Sequence, residues 1–297
     1  MKLIYNDVDI TDQTRILRCE INQYLEGHID TMTISFDNSQ NLWTGWNPAR
    51  GDRIRMSEGY VDSGEMVVVS IRSEDHNMVL DAAPMLNIQD GQIKAWKKPS
   101  FGQLARSIAG RLGLELAMYG VKDQKYEGIE QKGESDLIFL SNLCKLEGCS
   151  FIVSDGKLMI MSMDYLDSIP VSEYVINASS YRLHNDEYYS GCEVTDGKTT
   201  GKAGDSKGES YCFQTDRKLE SIGQANRFAG NMLRYANKDR KGGNLTADSL
   251  LEYAMPGSKI KITCEYWTEK PAMITRARYD IIRNRTKLWF RLEENDG

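Results

Sequence analysis

The sequence predicts a mainly β protein in which two small antiparallel β-barrel domains flank a compact α/β domain. Short segments with alternating apolar and polar residues fill the first 90 positions, helical spacing begins near residue 100, and strand patterns return after residue 170. The predicted domains are 1–90, 91–165 and 166–297, and the last contains a long helix at about 218–237 and a flexible loop at 196–210.

The first predicted domain consists of short strands separated by turns. Apolar and polar residues alternate in 17–21 and in 32–36, the period of two that is typical of strands with one buried face. Asp, Asn, Ser and Gly occupy 37–38 and 62–64, where the chain is expected to turn. Closely spaced strands of this kind indicate a small antiparallel barrel.

The second predicted domain contains two helices and a hairpin. Residues 101–112 carry apolar side chains at helical spacing, with Ser100 before them and Gly113 after them. A second helix is expected to begin after Ser135 and to end at Gly148. Asp-Gly at 155–156 separates two apolar runs and favours a hairpin turn.

The third predicted domain has a pattern that is weakly similar to the first. Residues 48–56 resemble residues 255–262, and a strand opening with Met follows each segment, at Met66 and at Met273. Two related β domains would produce this similarity, and chance likeness between strand–turn–strand units is the alternative. Residues 196–210 contain almost no side chain to bury, which predicts the flexible loop.

Composition and charge exclude several classes of protein. A net charge of −6 argues against a protein that binds nucleic acid through its phosphates. No apolar run approaches the ~20 residues of a membrane helix, and the first residues lack the apolar core of a signal peptide. We therefore expect a protein that stays in the cytoplasm where it is made unless another component exports it, without membrane insertion or specific nucleic-acid binding.

Catalytic and metal-binding motifs are not found. With three histidines and six dispersed cysteines, the sequence contains no nucleophile elbow and no dinucleotide or zinc motif, so we predict no enzyme, cofactor, catalytic residue or metal site. Paired carboxylates are harder to exclude, because 43 Asp and Glu residues allow many combinations. Glu134 and Glu147, which flank the second helix, are one such pair.

Two tryptophans are candidates for an interface. Trp43 and Trp46 lie near turns, where aromatic rings often anchor contacts with partners. The other three tryptophans fit core packing more simply.

Residues of the α/β region are similar to a known family. The sequence resembles the late-control protein D family of phage tails, and also the N-terminal part of type VI secretion spike proteins, most specifically in the Gln-x-Gly-Glu-Ser-Asp-x-x-Phe-Leu segment. The motif positions, expected to be structural, are Trp96, Lys98, Ser100, Gln131, Glu134, Ser135, Asp136, Phe139, Leu140 and Gly148. The resemblance covers most of the chain, but residues 96–160 carry it most strongly.

The resemblance implies a structural baseplate hub of a contractile phage tail or of a tail-like injection particle, including tail-like bacteriocins. Such a hub is a homotrimer whose two similar barrels per chain give pseudo-sixfold symmetry between a hexameric tail tube and a trimeric central spike. The implied partners are the spike, tube or tube-initiator proteins, and also tape measure and baseplate wedge proteins. The implied location is the cytoplasm during assembly and then the baseplate.

Two other functions remain open at this point. A tail-associated peptidoglycan hydrolase would depend on one or two acidic residues. A stand-alone carbohydrate-binding β protein would use Trp43 and Trp46 as a platform for stacking sugars.

Overall fold

The computed structural model describes residues 1–26, 28–87, 91–177, 180–205 and 207–292. The helices in this part of the chain are α1 (Leu42–Trp46), α2 (Phe101–Leu112), α3 (Asp136–Glu147), α4 (Met163–Ser168) and α5 (Ile222–Asn237). The strands are β1 (Lys2–Tyr5), β2 (Val8–Asp9), β3 (Ile16–Tyr24), β4 (Thr31–Asp37), β5 (Arg53–Glu58), β6 (Val61–Asp62), β7 (Met66–Glu74), β8 (Asn77–Pro84), β9 (Ile93–Lys97), β10 (Glu115–Tyr119), β11 (Gly128–Lys132), β12 (Cys149–Ser154), β13 (Lys157–Ser162), β14 (Val175–Asn177), β15 (Ser180–Asn185), β16 (Gly191–Thr195), β17 (Thr200–Gly204), β18 (Ser210–Gln214), β19 (Lys241–Ala247), β20 (Lys259–Cys264), β21 (Trp267–Asp280) and β22 (Arg285–Leu292). The prediction of a mainly β chain with an α/β unit is confirmed.

Strands from both ends of the sequence form one large sheet. Its main path runs β15-β19-β22-β21-β3-β4-β8-β7-β5-β1-β2, and β21 also pairs with β20. The antiparallel pairing of β21 with β3, which places Tyr279 opposite Ile21, joins the two predicted β regions. Their apolar faces form one continuous core that includes Phe36, Ile54, Ile274 and Phe290.

The weak similarity within the sequence corresponds to a repeated structure. The order β3-β4-β8-β7-β5 in the first half matches β15-β19-β22-β21-β20 in the second. Val68 exchanges main-chain hydrogen bonds with Gly51 and Asp52 at 2.8 and 2.9 Å, and Ile274 makes the same two bonds, of 2.8 and 2.9 Å, with the residues at 257 and 258. A register shift follows each of these residues, after Val68 and after Ile274. The two halves therefore share their strand order, a turn and a β-bulge.

A second core contains the α/β elements. Helices α2 and α3, the β10-β13-β12 sheet and the β9–β11 ribbon pack there with α5 and the β17-β16-β18 sheet. The long helix predicted over 218–237 begins at Ile222, and it packs in this core although the sequence predicted it within the second barrel. It is amphipathic, and its apolar side lies against β16, β17 and α3.

The predicted flexible loop at 196–210 is corrected by the structure. Residues 200–204 form β17 and the segment ends in β18, whereas residue 206 lies outside the described residues. Asp196 accepts main-chain hydrogen bonds from Lys198, Thr199 and Leu219 at 2.7–2.9 Å, which hold the turn and lower the pKa of its carboxyl to about 2. The small residues that suggest a loop instead allow β17 to approach α5.

The β3–β4 hairpin connects the two cores. Leu25 is fully buried against Met161, Leu166 and Met273. Its neighbour Glu26 forms ion pairs with Lys238 and Arg291, and Lys259 Nζ donates to Asp167 O at 2.6 Å. In the described residues, no helix is both long and apolar enough to cross a membrane.

Candidate functional site: the motif cluster and its cavity

Helix caps position several of the motif residues. Ser100 forms a capping box with Gln103, in which each side chain accepts a hydrogen bond from the main chain of the other residue. Ser135 accepts from Ile138 N at 3.4 Å and begins α3. Gly148 ends α3 in the left-handed region, with φ +66°, which favours glycine. In each case the residue fixes where a helix begins or ends.

Asp136 is the centre of a buried polar network. Its carboxylate accepts two hydrogen bonds from the guanidinium of Arg111, one of them at 2.7 Å from Nε, and a third at 2.9 Å from Gln131 Nε2. Burial alone would raise the pKa of this carboxyl, but these hydrogen bonds outweigh burial and hold the pKa below its ordinary value. Gln131 also donates to Glu134 O at 2.9 Å, so the network fixes the turn between β11 and α3.

Aromatic rings and guanidinium groups stack beside this network. The rings of Trp96 and Phe139 are nearly parallel, with centroids 5.6 Å apart. Arg111 lies over Trp96, 5.8 Å from its centroid, and Arg217 lies over Phe139 at 4.5 Å. Arg217 also pairs with Glu134 at 3.1 Å, which ties the chain before α5 to the start of α3.

The remaining motif residues have separate positions. Leu140 is fully buried in the α/β core. Lys98 is exposed and has a positive φ of +49°, and its Nζ lies 3.9 Å from Glu127 Oε2. A Cβ at Gly148 would approach Asn231 Oδ1 to 2.7 Å, so this position accommodates the contact between α3 and α5.

A cavity of about 530 Å³ opens beside the cluster. Strand β11, segment 216–220 and helices α3 and α5 all contribute lining residues. Segment 216–220 contacts the β11 region directly, since Glu220 Oε1 accepts from Glu127 N at 2.6 Å and Lys132 Nζ donates to Asp216 O at 3.2 Å. The apolar lining residues are Trp96, Ile129, Leu143, Leu146 and Phe228. Such a combination of apolar floor and polar rim is typical of sites that bind a ligand or a partner side chain.

A second polar network lies under this cavity. Glu147 accepts a 2.6 Å hydrogen bond from Tyr126 Oη and pairs with Arg227 at 3.0 Å. Burial, together with the nearby Glu147, raises the pKa of Tyr126, so its hydroxyl stays protonated. The network connects the chain just before β11 to α3 and α5.

The possible interface residues Trp43 and Trp46 differ in exposure. Trp43 is fully buried, with its ring 4.1 Å from Phe36 and 5.4 Å from Tyr5, so its assignment as an interface residue is corrected to the core. Trp46 packs edge-on against Trp43 and keeps 36% of its surface exposed. A two-ring platform for stacking sugars is therefore not formed.

The geometry also argues against the acid pair of a glycosidase. Glu134 and Glu147 flank a 12-residue helix, which separates them by roughly 18 Å, whereas such enzymes hold their two carboxyls within roughly 10 Å of each other. Both residues are already in ion pairs, with Arg217 and Arg227. Among the described residues, no group of His, Cys, Asp and Glu could hold a metal ion.

Sequence reasoning missed the cationic partners of this cluster. Arg111 lies 25 residues from Asp136, and Arg217 lies 83 residues from Glu134. The sequence contained a signal for Arg111. In the predicted helix 101–112, this residue lies three positions after the apolar Ile108 and so next to the face that packs in the core. Nothing in the local pattern around Arg217 indicates its contact.

Solved structures of tail proteins have the same fold. A 43 kDa tail protein of prophage MuSo2 from Shewanella oneidensis aligns with a TM-score of 0.76 at 10% identity, covering 97% of each chain. A tail protein from Neisseria meningitidis aligns with a TM-score of 0.74 at 11% identity, covering 98% of this chain and 96% of that one.

The fold is also similar to that of a protein from a bacterial secretion system. An E. coli component of the type VI secretion system, described as structurally similar to the T4 bacteriophage tail proteins gp27 and gp5, aligns with a TM-score of 0.61 at 13% identity over 99% of this chain and 78% of its own. No protein-family model matches the sequence, and no curated protein matches it either. The chain therefore has the fold of phage tail proteins and of a type VI secretion component.

Proposed function

We propose that this protein is a structural baseplate hub of a contractile phage tail or of a tail-like injection particle, without enzymatic activity. The observation that carries the proposal is the repeated β unit, because one chain presents two similarly built surfaces. The match in fold to tail proteins over nearly the whole chain supports the same function. The motif resemblance to late-control protein D supports it independently.

Symmetry explains how such a repeat would serve a hub. Three copies of a chain with two similar β units provide six similar positions in one ring. The ring can contact a hexameric tail tube on one side, while its threefold axis matches a trimeric central spike on the other. The turns at Gly51 and Gly257 make the same main-chain hydrogen bonds in the two units, and a β-bulge follows Val68 in one and Ile274 in the other.

The proposed partners follow from this position. The homotrimer would contact the spike and the tube or tube-initiator proteins, with tape measure and baseplate wedge proteins as further neighbours. The protein would assemble in the bacterial cytoplasm and end in the baseplate, and it would bind no specific nucleic acid. An acidic net charge suits a tube lumen through which DNA passes, since like charges repel.

Light scattering of the purified chain, alone and mixed with its trimeric spike protein, tests this proposal. We expect a particle of three 33.7 kDa chains, formed either alone or on addition of the spike. A parallel assay for peptidoglycan cleavage should show no activity. A monomer that does not bind the spike, or cleavage that is lost on replacing one acidic residue, would contradict the hub function.

A further inference from the structure

One edge of strand β11, its free edge, pairs with no second strand among the described residues, although the side chains of Arg217 and Glu220 reach main-chain groups at this end of the ribbon. In the described residues β11 forms a two-stranded ribbon with β9 alone. Lys98 N donates to Glu127 O at 3.1 Å, and Gly133 N donates to Gln92 O at 2.9 Å. Main-chain groups of successive strand residues alternate in direction, so the odd-numbered residues of β11 face β9.

The even-numbered residues direct their main-chain groups away from β9. These are Gly128, Glu130 and Lys132, and all three line the cavity. Arg217 Nη1 reaches Glu130 O at a distance of 3.4 Å, which is long for a hydrogen bond. An extended polypeptide is the ligand whose own main chain matches such an edge.

The cavity beside this edge suits an apolar side chain. Its floor is formed by Leu143, Leu146 and Phe228, and its volume of about 530 Å³ exceeds that of any single side chain. Side chains of an added strand that point to this face would enter it, because alternate residues of a strand share a face.

The charges of the rim favour a basic neighbour. The charged lining residues are Glu127, Glu130, Asp216, Lys132, Arg217, Lys218 and Glu220. Two of them are paired with residues outside the cavity, Arg217 with Glu134 and Glu127 with Lys98, which leaves three carboxylates against two lysines. The excess of negative charge complements a lysine or arginine on the ligand.

We propose that this cavity binds an extended polypeptide segment of a partner protein, which adds a strand to the free edge of β11. One apolar side chain of the segment enters the cavity, and a lysine or arginine within two residues of it lies beside Glu130. This inference goes beyond the hub function and does not depend on it, because it follows from the geometry of one chain.

Selection from a displayed library of random 12-residue peptides tests the proposal. The library is selected on the wild-type protein and on Glu130→Pro, which removes an outward amide but no hydrogen bond to β9. The matched control is Ile93→Pro, on the opposite edge of the same ribbon, where the side chain is 87% exposed. Circular dichroism checks that each variant is folded.

We expect peptides that combine an apolar residue with lysine or arginine, that bind wild type and Ile93→Pro equally, and that bind Glu130→Pro at least tenfold more weakly. Amide hydrogen exchange at Gly128, Glu130 and Lys132 should slow when such a peptide is bound. A second variant, Glu130→Lys, keeps the main chain and should shift the selected charge from basic to acidic. The proposal is overturned if no peptide is enriched, if Glu130→Pro binds equally well, or if other amides are protected instead.

Discussion

Asp136 illustrates how a single motif residue organises this fold. Its carboxylate is buried, and the guanidinium of Arg111 and the amide of Gln131 bond to it directly. Removing the charge of one partner in a buried pair leaves the other charge without compensation, which destabilises a protein by about 3–5 kcal/mol. The contacts of Asp136 therefore give this motif residue a part in stability.

Replacing Asp136 with Asn should lower the free energy of unfolding by about 3 kcal/mol, because the charge of Arg111 stays buried. Urea unfolding followed by tryptophan fluorescence measures the change. The control is Glu193→Gln, which breaks an exposed pair with Lys202 and should change stability by less than about 1 kcal/mol. An equal effect of the two substitutions would contradict the structural importance of the buried pair.

The same carboxyl should contribute to acid sensitivity. Its folded-state pKa is lowered, so the stabilisation is present above the unfolded-state pKa and is lost as the pH falls through the folded-state pKa. Unfolding measured between pH 7 and pH 2 should show a decline for wild type that is smaller for Asp136→Asn. Parallel curves for the two proteins would show that Asp136 does not titrate in this way.

At the level of elements, local sequence patterns predict where a helix begins and ends. They do not predict which other elements the helix packs against. Ser100, Ser135 and Gly148 mark helix ends by a mechanism that acts within a few residues. Strand β17 was missed because the chain there is rich in small residues, which usually indicate a loop. The structure gives another reason for one of them: a Cβ at Gly201 would lie 2.0 Å from the main chain of Ala225 in α5.

Gly201→Ala should therefore separate β17 from α5 and destabilise the protein by more than about 2 kcal/mol, as overpacking does. Gly110→Ala is the control, since that glycine lies within α2 and a Cβ there would meet nothing within 4 Å. Alanine favours helix over glycine by about 1 kcal/mol, so the control should be neutral or stabilising. Thermal unfolding distinguishes the two, and similar losses at both sites would contradict the close packing.

The β3–β4 hairpin should make the connection between the two cores sensitive to pH. Asp30 accepts a hydrogen bond from Tyr24 N at 3.1 Å, and burial raises the pKa of its carboxyl to about 7. Because the folded state then binds the proton more tightly than the unfolded state, stability should fall as the pH rises from 4 to 7. A pKa that is about three units higher in the folded state changes the free energy of unfolding by at most about 4 kcal/mol.

Asp30→Asn should remove this decline, because the amide oxygen can still accept from Tyr24 N and the side chain does not ionise. Unfolding by urea at pH 5 and at pH 8 measures it in both proteins. We expect a larger loss between the two pH values for wild type than for the variant. The same loss in both would show that Asp30 stays ionised in the folded protein.

At the scale of the whole molecule, the sequence indicated the repeat but not how its two units are joined. Gly51 and Gly257 stand in similar segments, and both make the same main-chain bond in the structure. The pairing of β3 with β21 joins residues more than 250 positions apart, and no local pattern encodes that contact. This pairing places the two similar units in one continuous sheet within each chain.

Electron microscopy of the purified chain bound to its spike protein tests the central claim most directly. We predict a threefold ring with six similar β lobes, in which the two lobes of each chain meet at the β3–β21 pairing. The corresponding turns at Gly51 and Gly257 should lie at similar radius and height in the ring. A single copy on the spike, or a ring whose two lobes per chain are not related by about 60°, would contradict the account.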